Sequence, residues 1–304
     1  MLITLHEVGP RDGLQAETKV VPAETKIRWI ERLVASGVDI VQVGSFVHPE
    51  KVPQMADTDR IFEWFQRAER KPARTVLSGL VLNEKGLERG LACGVDLFCM
   101  GVSASETHSR KNTGMPVAEA TTRILAMAKR SEGEGKPVQV SVQSAFGCGY
   151  EGEVPEERVL ELVRRFIGEG VRRISLADTV GHADPRRVES LYSAIFEIDP
   201  SIECAAHFHE TYGLGLVNAY AALRAGVRFF ETSFAGLGGC PFAAVTSGNV
   251  CTEDFVHMLH RMGLRHDVDL QPILETGTEA EEFFGRALPG TIRKTGPLGT
   301  AVVV

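Results

Sequence analysis

The chain has 304 residues, of which 43% are hydrophobic and 24% are charged, and its formal net charge at pH 7 is −7. A mildly acidic surface argues against a protein that binds the phosphates of nucleic acids, because such binding needs a basic stripe. No apolar run reaches the roughly 18–20 residues that cross a membrane. The composition therefore indicates a soluble globular protein with neither nucleic acid nor membrane as a partner.

The N-terminus and the cysteines indicate the compartment. Residues Met1–Glu7 lack the basic region, apolar core and small-residue cleavage site of an export signal. The six cysteines are scattered along the chain without a CxxC pair or a framework spacing, as is typical of reduced thiols. We therefore expect a cytoplasmic protein without disulfides.

Short apolar runs that favour strands alternate with longer stretches of helical period. The short runs predict eight strands, near Leu2–Val8, Asp39–Gly44, Thr75–Leu82, Asp96–Val102, Val138–Ser144, Arg173–Ala177, Glu203–Phe208 and Phe229–Ser233. The longer stretches predict helices near Ala23–Ser36, Asp59–Arg67, Glu84–Ala92, Val117–Arg130, Glu156–Glu169, Arg186–Glu197, Leu214–Ala225 and Thr252–Met262. One more helix is predicted over Leu270–Arg286, followed by a tail rich in glycine and proline.

A glycine and a valine recur where predicted helices end and strands begin, at Gly37-Val38, Gly94-Val95, Gly170-Val171 and Gly226-Val227. Glycine past a helix end adopts the left-handed conformation at little cost. Four copies indicate a repeated βα unit, and eight units predict an α/β fold, a TIM (β/α)8 barrel over residues 1–262. A short helical extension over residues 263–304 is expected to pack on the barrel or at an oligomer interface. An open, doubly wound sheet is the alternative, because periodicity does not reveal closure.

The loops that follow the strands of such a barrel meet at one mouth, where polar residues mark the candidate site. The first strand runs into Glu7–Gln15, with the sequence EVGPRDGLQ, which is also compatible with a surface turn holding an Arg–Asp pair. In the seventh strand, His207 and His209 are two residues apart, share a face, and can bind one metal ion together. A single strand histidine is more often a core residue, but the pair favours a metal site.

A glycine-rich loop follows the eighth strand, and Gly236–Pro241 reads GLGGCP. It does not match the dinucleotide fingerprint, because Pro241 stands where the third glycine belongs. The loop carries one thiol, Cys240, which the flanking glycines favour as an exposed and mobile position. A free cysteine is otherwise often only a small buried residue.

Two imidazoles and two oxygens are available at the mouth, from Asp12, His207, His209 and Asn249. A mixed nitrogen and oxygen set without thiolate favours Mg²⁺ or Mn²⁺ over structural zinc, with Zn²⁺ and Co²⁺ as alternatives. Open coordination positions indicate catalysis, in which the cation chelates neighbouring substrate oxygens and stabilises a developing enolate.

These motifs resemble those of the 3-hydroxy-3-methylglutaryl-CoA lyase family, within the metal-dependent aldolase and Claisen-condensing barrels. The resemblance runs from about residue 2 to residue 262, in Glu7–Gln15, Ser45-Phe46-Val47 with Val52–Met55, Ser175–Gly181, the His207 and His209 pair, and Gly236–Pro241 through Asn249. It implies cleavage of 3-hydroxy-3-methylglutaryl-CoA into acetyl-CoA and acetoacetate, and hence leucine catabolism and ketone-body formation. It also implies an acyl-CoA partner and a homodimer or larger homo-oligomer.

Carried over by position, the resemblance implies roles for individual residues. The metal ligands would be Asp12, His207, His209 and Asn249. The catalytic residues would be Arg11 for the thioester enolate, Cys240 for protonation of the acetyl-CoA carbanion, and Asp178 with His207 for acid–base steps. The substrate would be bound by Gln15, Gln42, Ser45, Tyr150, Ser175, Gly238 and Gly239.

The second and sixth strands depart from the family pattern. Gln42 stands where the family has a glutamate, so the negative charge and any proton-accepting role are lost. Val43 and Gly44 replace small polar residues and would widen the pocket, whereas Ala177 replaces a glycine and would narrow it. These departures favour a related 3-hydroxy-3-alkyl acyl-CoA as an alternative substrate.

Two other functions stay open. A Claisen synthase that joins acetyl-CoA to a 2-keto acid, as isopropylmalate and homocitrate synthases do, shares the arginine–aspartate strand and the HxH pair. Such synthases usually continue into a long regulatory region, whereas only about forty residues follow the barrel here. A non-catalytic barrel is the other alternative, with Gln42 marking the loss of activity. For CoA, the basic residues near candidate loops are Lys51, Arg110 and Lys111, although exposed basic residues are usually only solvated.

Overall fold

Eight parallel strands close into a barrel in the computed structural model, which describes residues 3–239 and 248–298. The strands are β1 Thr4–Glu7, β2 Ile40–Ser45, β3 Val76–Leu80, β4 Leu97–Ser103, β5 Val138–Gln143, β6 Arg173–Ala177, β7 Glu203–His207 and β8 Phe229–Thr232. Each strand pairs with its neighbours in chain order, and β8 pairs with β1 in a register that sets Thr4 opposite Phe229. The predicted TIM barrel is therefore confirmed, and the open doubly wound sheet is wrong.

Helices separate the strands. They are α1 Ala23–Ala35, α2 Thr58–Gln66, α3 Glu84–Ala92, α4 Glu106–Thr113, α5 Val117–Gly133, α6 Glu156–Gly168, α7 Pro185–Ile198, α8 Gly215–Arg224, α9 Thr252–Arg261, α10 Leu270–Phe284 and α11 Thr291–Thr295. Within the described ranges, no helix combines the length and the apolar character needed to cross a bilayer.

Two of these helices, α4 and α11, are not predicted from the periodicity. Helix α4 is too polar to show an apolar period, but it has clear ends. The Ser105 hydroxyl accepts a hydrogen bond from the His108 N–H at its start, and Gly114 has a left-handed φ of 77° at its end. Helix α11 is a single short turn in the segment noted above as a tail rich in glycine and proline.

The recurring glycines reverse the chain from helix to strand, as predicted. Their φ values are 87° at Gly37, 73° at Gly94, 97° at Gly170 and 110° at Gly226. A residue with a Cβ is strained at such angles. The repeated βα unit therefore depends on glycine at these four positions.

Helix α10 and the first helix are joined by close contacts. The ring centroids of Trp29 and Phe283 are 6.0 Å apart with the rings nearly perpendicular. The Glu279 carboxylate accepts hydrogen bonds from Arg28 and Arg32 of α1. The segment that follows the barrel thus packs beside the start of the chain.

Polar side chains lie inside the barrel, where the strands face one another. His6 Nε2 of β1 is 2.8 Å from Ser78 Oγ of β3, although these two strands are not neighbours in the sheet. Such a contact crosses the interior of the barrel. The strands therefore carry apolar residues toward the helices and a set of hydrogen-bonding groups toward the axis.

Candidate active site

Three side chains converge at the mouth of the barrel. One donor atom each from Asp12, His207 and His209 lies within 4.8 Å of the other two. His207 Nε2 is 3.8 Å from Asp12 Oδ2, and the two imidazole centroids are 5.1 Å apart. The fold thus brings together the carboxylate and the two imidazoles that the sequence singles out.

A tight turn after β1 holds Asp12. The turn, Gly9–Gly13, is a single turn of π-helix in which the N–H of Asp12 donates to the Val8 oxygen at 2.7 Å. A Cβ at Gly9 would lie 2.4 Å from the ring of Phe234, so glycine lets this turn pack against the loop after β8. The carboxylate of Asp12 is thereby fixed at the mouth.

The two histidines are oriented by their neighbours. Phe208, which separates them, packs against Phe146 in the core with ring centroids 5.6 Å apart, so both imidazoles lie on the opposite side. His209 Nδ1 donates to the backbone oxygen of Asp178 at 2.9 Å. This bond fixes the tautomer of His209 and leaves Nε2 as its ligand atom.

Asn249 joins the cluster from the loop before α9. Its Nδ2 donates to Asp12 Oδ2 and to the Leu237 oxygen, both at 2.9 Å. Its Oδ1 is buried and has no hydrogen-bond partner among the described residues. A buried acceptor without a partner is costly unless something else binds it. The four predicted donors therefore fit a divalent cation that takes oxygen and nitrogen ligands.

Asp12 is ionised and His209 is neutral near pH 7. Burial alone would raise the pKa of Asp12, but the charges of Arg11 and His207, with a hydrogen bond from Asn249, lower that pKa to about 2. Burial, assisted by the charge of His207, lowers the pKa of His209 to about 4. Metal ions bind carboxylates and neutral imidazoles, so both groups are in their ligand forms at neutral pH.

Arg11 lies beside the cluster and contacts both Asp12 and Gln42. Its Nη1 donates to Asp12 Oδ1, and its Nε donates to Oε1 of Gln42 on β2. The side chain is 12% exposed, so its charge is only weakly screened by water. Gln15 Nε2 also donates to Asp12 Oδ1, at 3.1 Å. A fixed guanidinium here is suited to stabilise an oxyanion.

A cavity of about 340 Å³ opens from this cluster. Predicted site residues in its wall are Arg11, Asp12, Gln15, Gln42, His207, His209, Gly238 and Gly239. An apolar part of the wall, which sequence reasoning misses, comes from Val52, Leu80, Leu82 and Met100. The cavity therefore combines the charged and polar residues of the cluster with apolar residues from β3, β4 and the loops after β2 and β3.

Three predicted substrate-binding residues do not contribute to this wall within the described chain. Ser45 and Ser175 are buried, and their hydroxyls find no hydrogen-bond partner among the described residues. Tyr150 is 38% exposed, and Lys111 Nζ lies 4.2 Å from the centroid of its ring. The structure thus places Tyr150 with one of the basic residues considered for CoA.

Asp178 is likewise absent from the described wall. Its carboxylate accepts hydrogen bonds from the N–H groups of His182 at 2.8 Å and Ala183 at 3.1 Å. The side chain is fully buried, and burial raises its pKa to about 7. Asp178 thus closes the turn after β6 and orients His209 through its backbone. The predicted catalytic thiol, Cys240, lies outside the described residues.

The structure corrects one predicted effect on the pocket. A Cβ at Gly44 would lie 2.4 Å from Thr58 Oγ1 of α2, so this glycine makes room for a helix and does not widen the cavity. Ala177, by contrast, does line the cavity. The alternation of residues along a strand does not reveal which way Gly44 points, because β2 has an irregular register between Gln42 and Gly44.

Glu231, in β8, is a site residue that sequence reasoning misses. It lines the cavity, and its Oε2 is 2.8 Å from His207 Nδ1. Burial alone would raise the pKa of Glu231, but the hydrogen bond and charge of His207 lower it to about 2. The sequence does contain a signal for this residue, because Glu231 is an acidic residue that directly follows two phenylalanines in a buried strand.

Two further buried carboxylates hold the loop after β8. Glu7 accepts hydrogen bonds from Phe234 N–H at 3.1 Å and from the Thr252 hydroxyl at 2.6 Å. Glu253 accepts one from Ala235 N–H at 3.0 Å. Burial raises the pKa of Glu7 to about 7 and that of Glu253 to about 8. The backbone that enters the glycine-rich loop is therefore anchored on two acids that ionise near neutrality.

We expect Glu253→Gln to reduce the pH dependence of stability. Above the ordinary carboxyl pKa, folded Glu253 keeps a proton that the unfolded chain has released, so the free energy of unfolding falls as pH rises toward 8. The free energy of unfolding of the variant should exceed that of the wild type by about 1–2 kcal/mol at pH 8, and the two should not differ in this way at pH 5. Urea unfolding at both pH values measures this, with Glu203→Gln as the partly exposed control. The same change in the free energy of unfolding between pH 5 and pH 8 in the wild type and in E253Q would contradict the prediction.

Comparisons with known proteins identify relatives. The HMGL-like family model matches residues 2–279. The chain is 37% identical over 287 residues to hydroxymethylglutaryl-CoA lyase YngG of Bacillus subtilis, covering 94% of this chain and 95% of that protein. It is 35% identical over 307 residues to (R)-citramalyl-CoA lyase of Chloroflexus aurantiacus, covering 99% of this chain and 97% of that protein.

A solved structure shares the fold over the whole chain. The HMG-CoA lyase from Acinetobacter baumannii in complex with coenzyme A and 3-methylmalate has a TM-score of 0.92 and 33% sequence identity. The comparison covers 100% of this chain and 98% of that one. With a family model that matches most of its length and with relatives of this identity, the chain belongs to the HMGL-like family.

Proposed function

We propose that the chain is a divalent-metal-dependent lyase that cleaves 3-hydroxy-3-methylglutaryl-CoA, or a closely related 3-hydroxyacyl-CoA, to acetyl-CoA and a ketoacid. The observation that carries the proposal is the position of Arg11 beside Asp12, His207 and His209 on one cavity. The two relatives above are lyases named for thioesters of this kind. Acetoacetate as product would connect the enzyme with leucine catabolism and ketone-body formation.

Retro-aldol cleavage needs a base, an electrophile and an electron sink. A base takes the proton of the C3 hydroxyl, the C2–C3 bond breaks as that oxygen becomes a ketone, and the bonding electrons move to C2. The resulting thioester enolate takes a proton at C2 and leaves as acetyl-CoA, while the other fragment leaves as the ketoacid. A cation bound at the mouth would act as a Lewis acid toward the substrate oxygens.

We assign the metal to Asp12, His207, His209 and Asn249. The convergence of the first three and the unpartnered Oδ1 of Asn249 support this assignment. Two imidazoles with two oxygens suit Mg²⁺ or Mn²⁺, with Co²⁺ and Zn²⁺ as alternatives. We further infer an acyl-CoA partner, a cytoplasmic location and a homo-oligomer.

We assign the proton steps to residues around the same cavity. The resemblance assigns the acid–base steps to His207 and Asp178: His207 lines the cavity, and Asp178, whose pKa burial raises to about 7, lies behind His209. Arg11 would stabilise the negative oxygen of the enolate. Cys240, which follows the cavity residue Gly239 in the sequence, would protonate C2.

A thioester assay tests the proposal. The purified protein is incubated with 3-hydroxy-3-methylglutaryl-CoA and, separately, (R)-citramalyl-CoA, with Mg²⁺ or Mn²⁺, and acetyl-CoA and the ketoacid are quantified. We expect equal amounts of both products and loss of turnover after chelation of the metal. Consumption of acetyl-CoA with a 2-keto acid would support the synthase alternative instead, and absence of turnover in every mixture would support the non-catalytic one.

Gln42 is expected to influence which thioester is preferred. Its Oε1 accepts a hydrogen bond from Arg11, so a carboxylate there would neutralise the guanidinium. We expect Gln42→Glu to change the ratio of kcat/KM between the two thioesters by at least about tenfold, or roughly 1.4 kcal/mol. Gln54→Glu, at a glutamine that contacts the Glu17 oxygen outside the cavity, is the control. An unchanged ratio in Q42E would count against a role in specificity.

A further inference from the structure

We propose that Glu231 is a positioning residue that holds His207 in the tautomer and orientation required of a metal ligand. The inference rests on the metal site of the proposed function, which assigns His207 as a ligand. It concerns a carboxylate on β8 that is not one of the predicted metal ligands but contacts one of them, His207.

In the hydrogen bond between Glu231 and His207, the imidazole donates and the carboxylate accepts. Glu231 Oε2 lies 2.8 Å from His207 Nδ1, and a carboxylate oxygen accepts. Nδ1 therefore carries the proton, and the lone pair of a neutral ring lies on Nε2. Nε2 is the atom 3.8 Å from Asp12 Oδ2, on the side of the cluster. Histidine ligands in metal sites are commonly fixed through the second nitrogen in this way.

Glu231 is itself held by the opposite side of the barrel. Its Oε1 accepts a hydrogen bond from Gln139 Nε2 of β5, which is not a neighbour of β8 in the sheet. The same oxygen is 3.9 Å from Nδ1 of His6 on β1. The two oxygens are thus directed to different strands, and the side chain is only 8% exposed. A chain of hydrogen bonds runs from β5 through Glu231 to the imidazole on β7.

The two histidines of the site have different hydrogen-bond partners. One oxygen reaches His207 on the neighbouring strand, while the other reaches Gln139 across the axis. His209, the second imidazole, needs no such partner because the backbone oxygen of Asp178 already fixes it. His209 is therefore held by a backbone group, whereas His207 is held by a side chain that mutation can remove.

Two measurements test the assignment with Glu231→Leu and Glu231→Gln. Nitrogen-15 NMR of the histidine rings in the metal-free protein reports which ring nitrogen of His207 is protonated. Binding of Mn²⁺, followed by electron paramagnetic resonance, reports the affinity of the site. We expect E231L to lose the Nδ1–H signal of His207 and to bind Mn²⁺ about 10–100-fold more weakly. E231Q, whose amide oxygen still accepts a hydrogen bond, should keep the signal and bind about 3–10-fold more weakly.

Glu203→Leu is the matched control, because Glu203 lies on the same strand as His207 and pairs with Arg173 away from the cavity. It should leave both measurements unchanged. Retention of the Nδ1–H signal and of wild-type Mn²⁺ affinity in E231L would overturn the inference; if E231L does not fold, unchanged Mn²⁺ affinity in E231Q would do so. Failure of the wild type to bind Mn²⁺ would count against the proposed metal site, while the ring signals would still decide the role of Glu231.

Discussion

Arg11→Gln is expected to lower kcat for thioester cleavage by about three to four orders of magnitude while leaving the metal site intact. Loss of a single neutral donor to an oxyanion typically costs 10²–10³ in rate, and here a buried positive charge is lost as well. The guanidinium is 12% exposed and is bonded to Asp12 and to the uncharged Gln42. Gln42 carries no charge. Among the described residues, Asp12 is therefore the acidic group that forms a direct ion pair with Arg11.

The measurement is steady-state turnover combined with Mn²⁺ affinity. The variant should bind Mn²⁺ within a few-fold of the wild type, since Asp12, His207 and His209 are unchanged, and added metal should not restore the rate. Arg123→Gln is the matched control, because Arg123 pairs with Glu84 on the outer surface. A rate above one tenth of wild type in R11Q would contradict an oxyanion role for Arg11.

The parts of the site that follow from local spacing could be predicted from the sequence. His207 and His209 lie on one side because strand residues two apart share a face. Asp12 meets them because loops after the strands of a closed parallel barrel share one mouth. Both statements require only the strand positions and the order of elements, which the alternation of apolar runs and helical stretches indicates.

The contacts that cross the barrel could not be predicted in this way. Glu231 touches Gln139 from a strand that is not its neighbour, and this depends on the tilt and closure of the sheet. The orientation of Gly44 toward Thr58 could not be predicted either, because it depends on an irregularity in strand pairing. Helix α4 escaped prediction for another reason, since its ends are set by capping and its middle has no apolar stripe.

Asp178 shows the difference between resemblance and geometry. Position in the family pattern implies an acid–base role, whereas the carboxylate is bonded to two backbone N–H groups of the turn after β6. Its backbone oxygen holds His209, so the residue is tied to the metal site by a group that substitution of the side chain does not remove. Substitution does remove the carboxylate that closes the turn, so any effect of a change at Asp178 includes a change in how this turn positions His209.

The second large effect is expected from Asp12→Asn. The substitution keeps the size of the side chain and an acceptor oxygen, but it removes the negative charge that favours a divalent cation. We expect Mn²⁺ affinity to fall by at least about two orders of magnitude and turnover at low metal to fall in parallel, with partial recovery as metal is raised. Recovery separates this variant from R11Q, which lacks the oxyanion partner at any metal concentration.

Asp184→Asn is the control for this experiment, because Asp184 caps α7 by accepting hydrogen bonds from the N–H groups of Arg186 and Arg187, and asparagine caps helices equally well. It should change neither Mn²⁺ affinity nor turnover. If D12N bound Mn²⁺ as tightly as the wild type, the cluster of Asp12, His207 and His209 would not be the metal site, and the electrophile of the proposed cleavage would have to be sought in Arg11 alone.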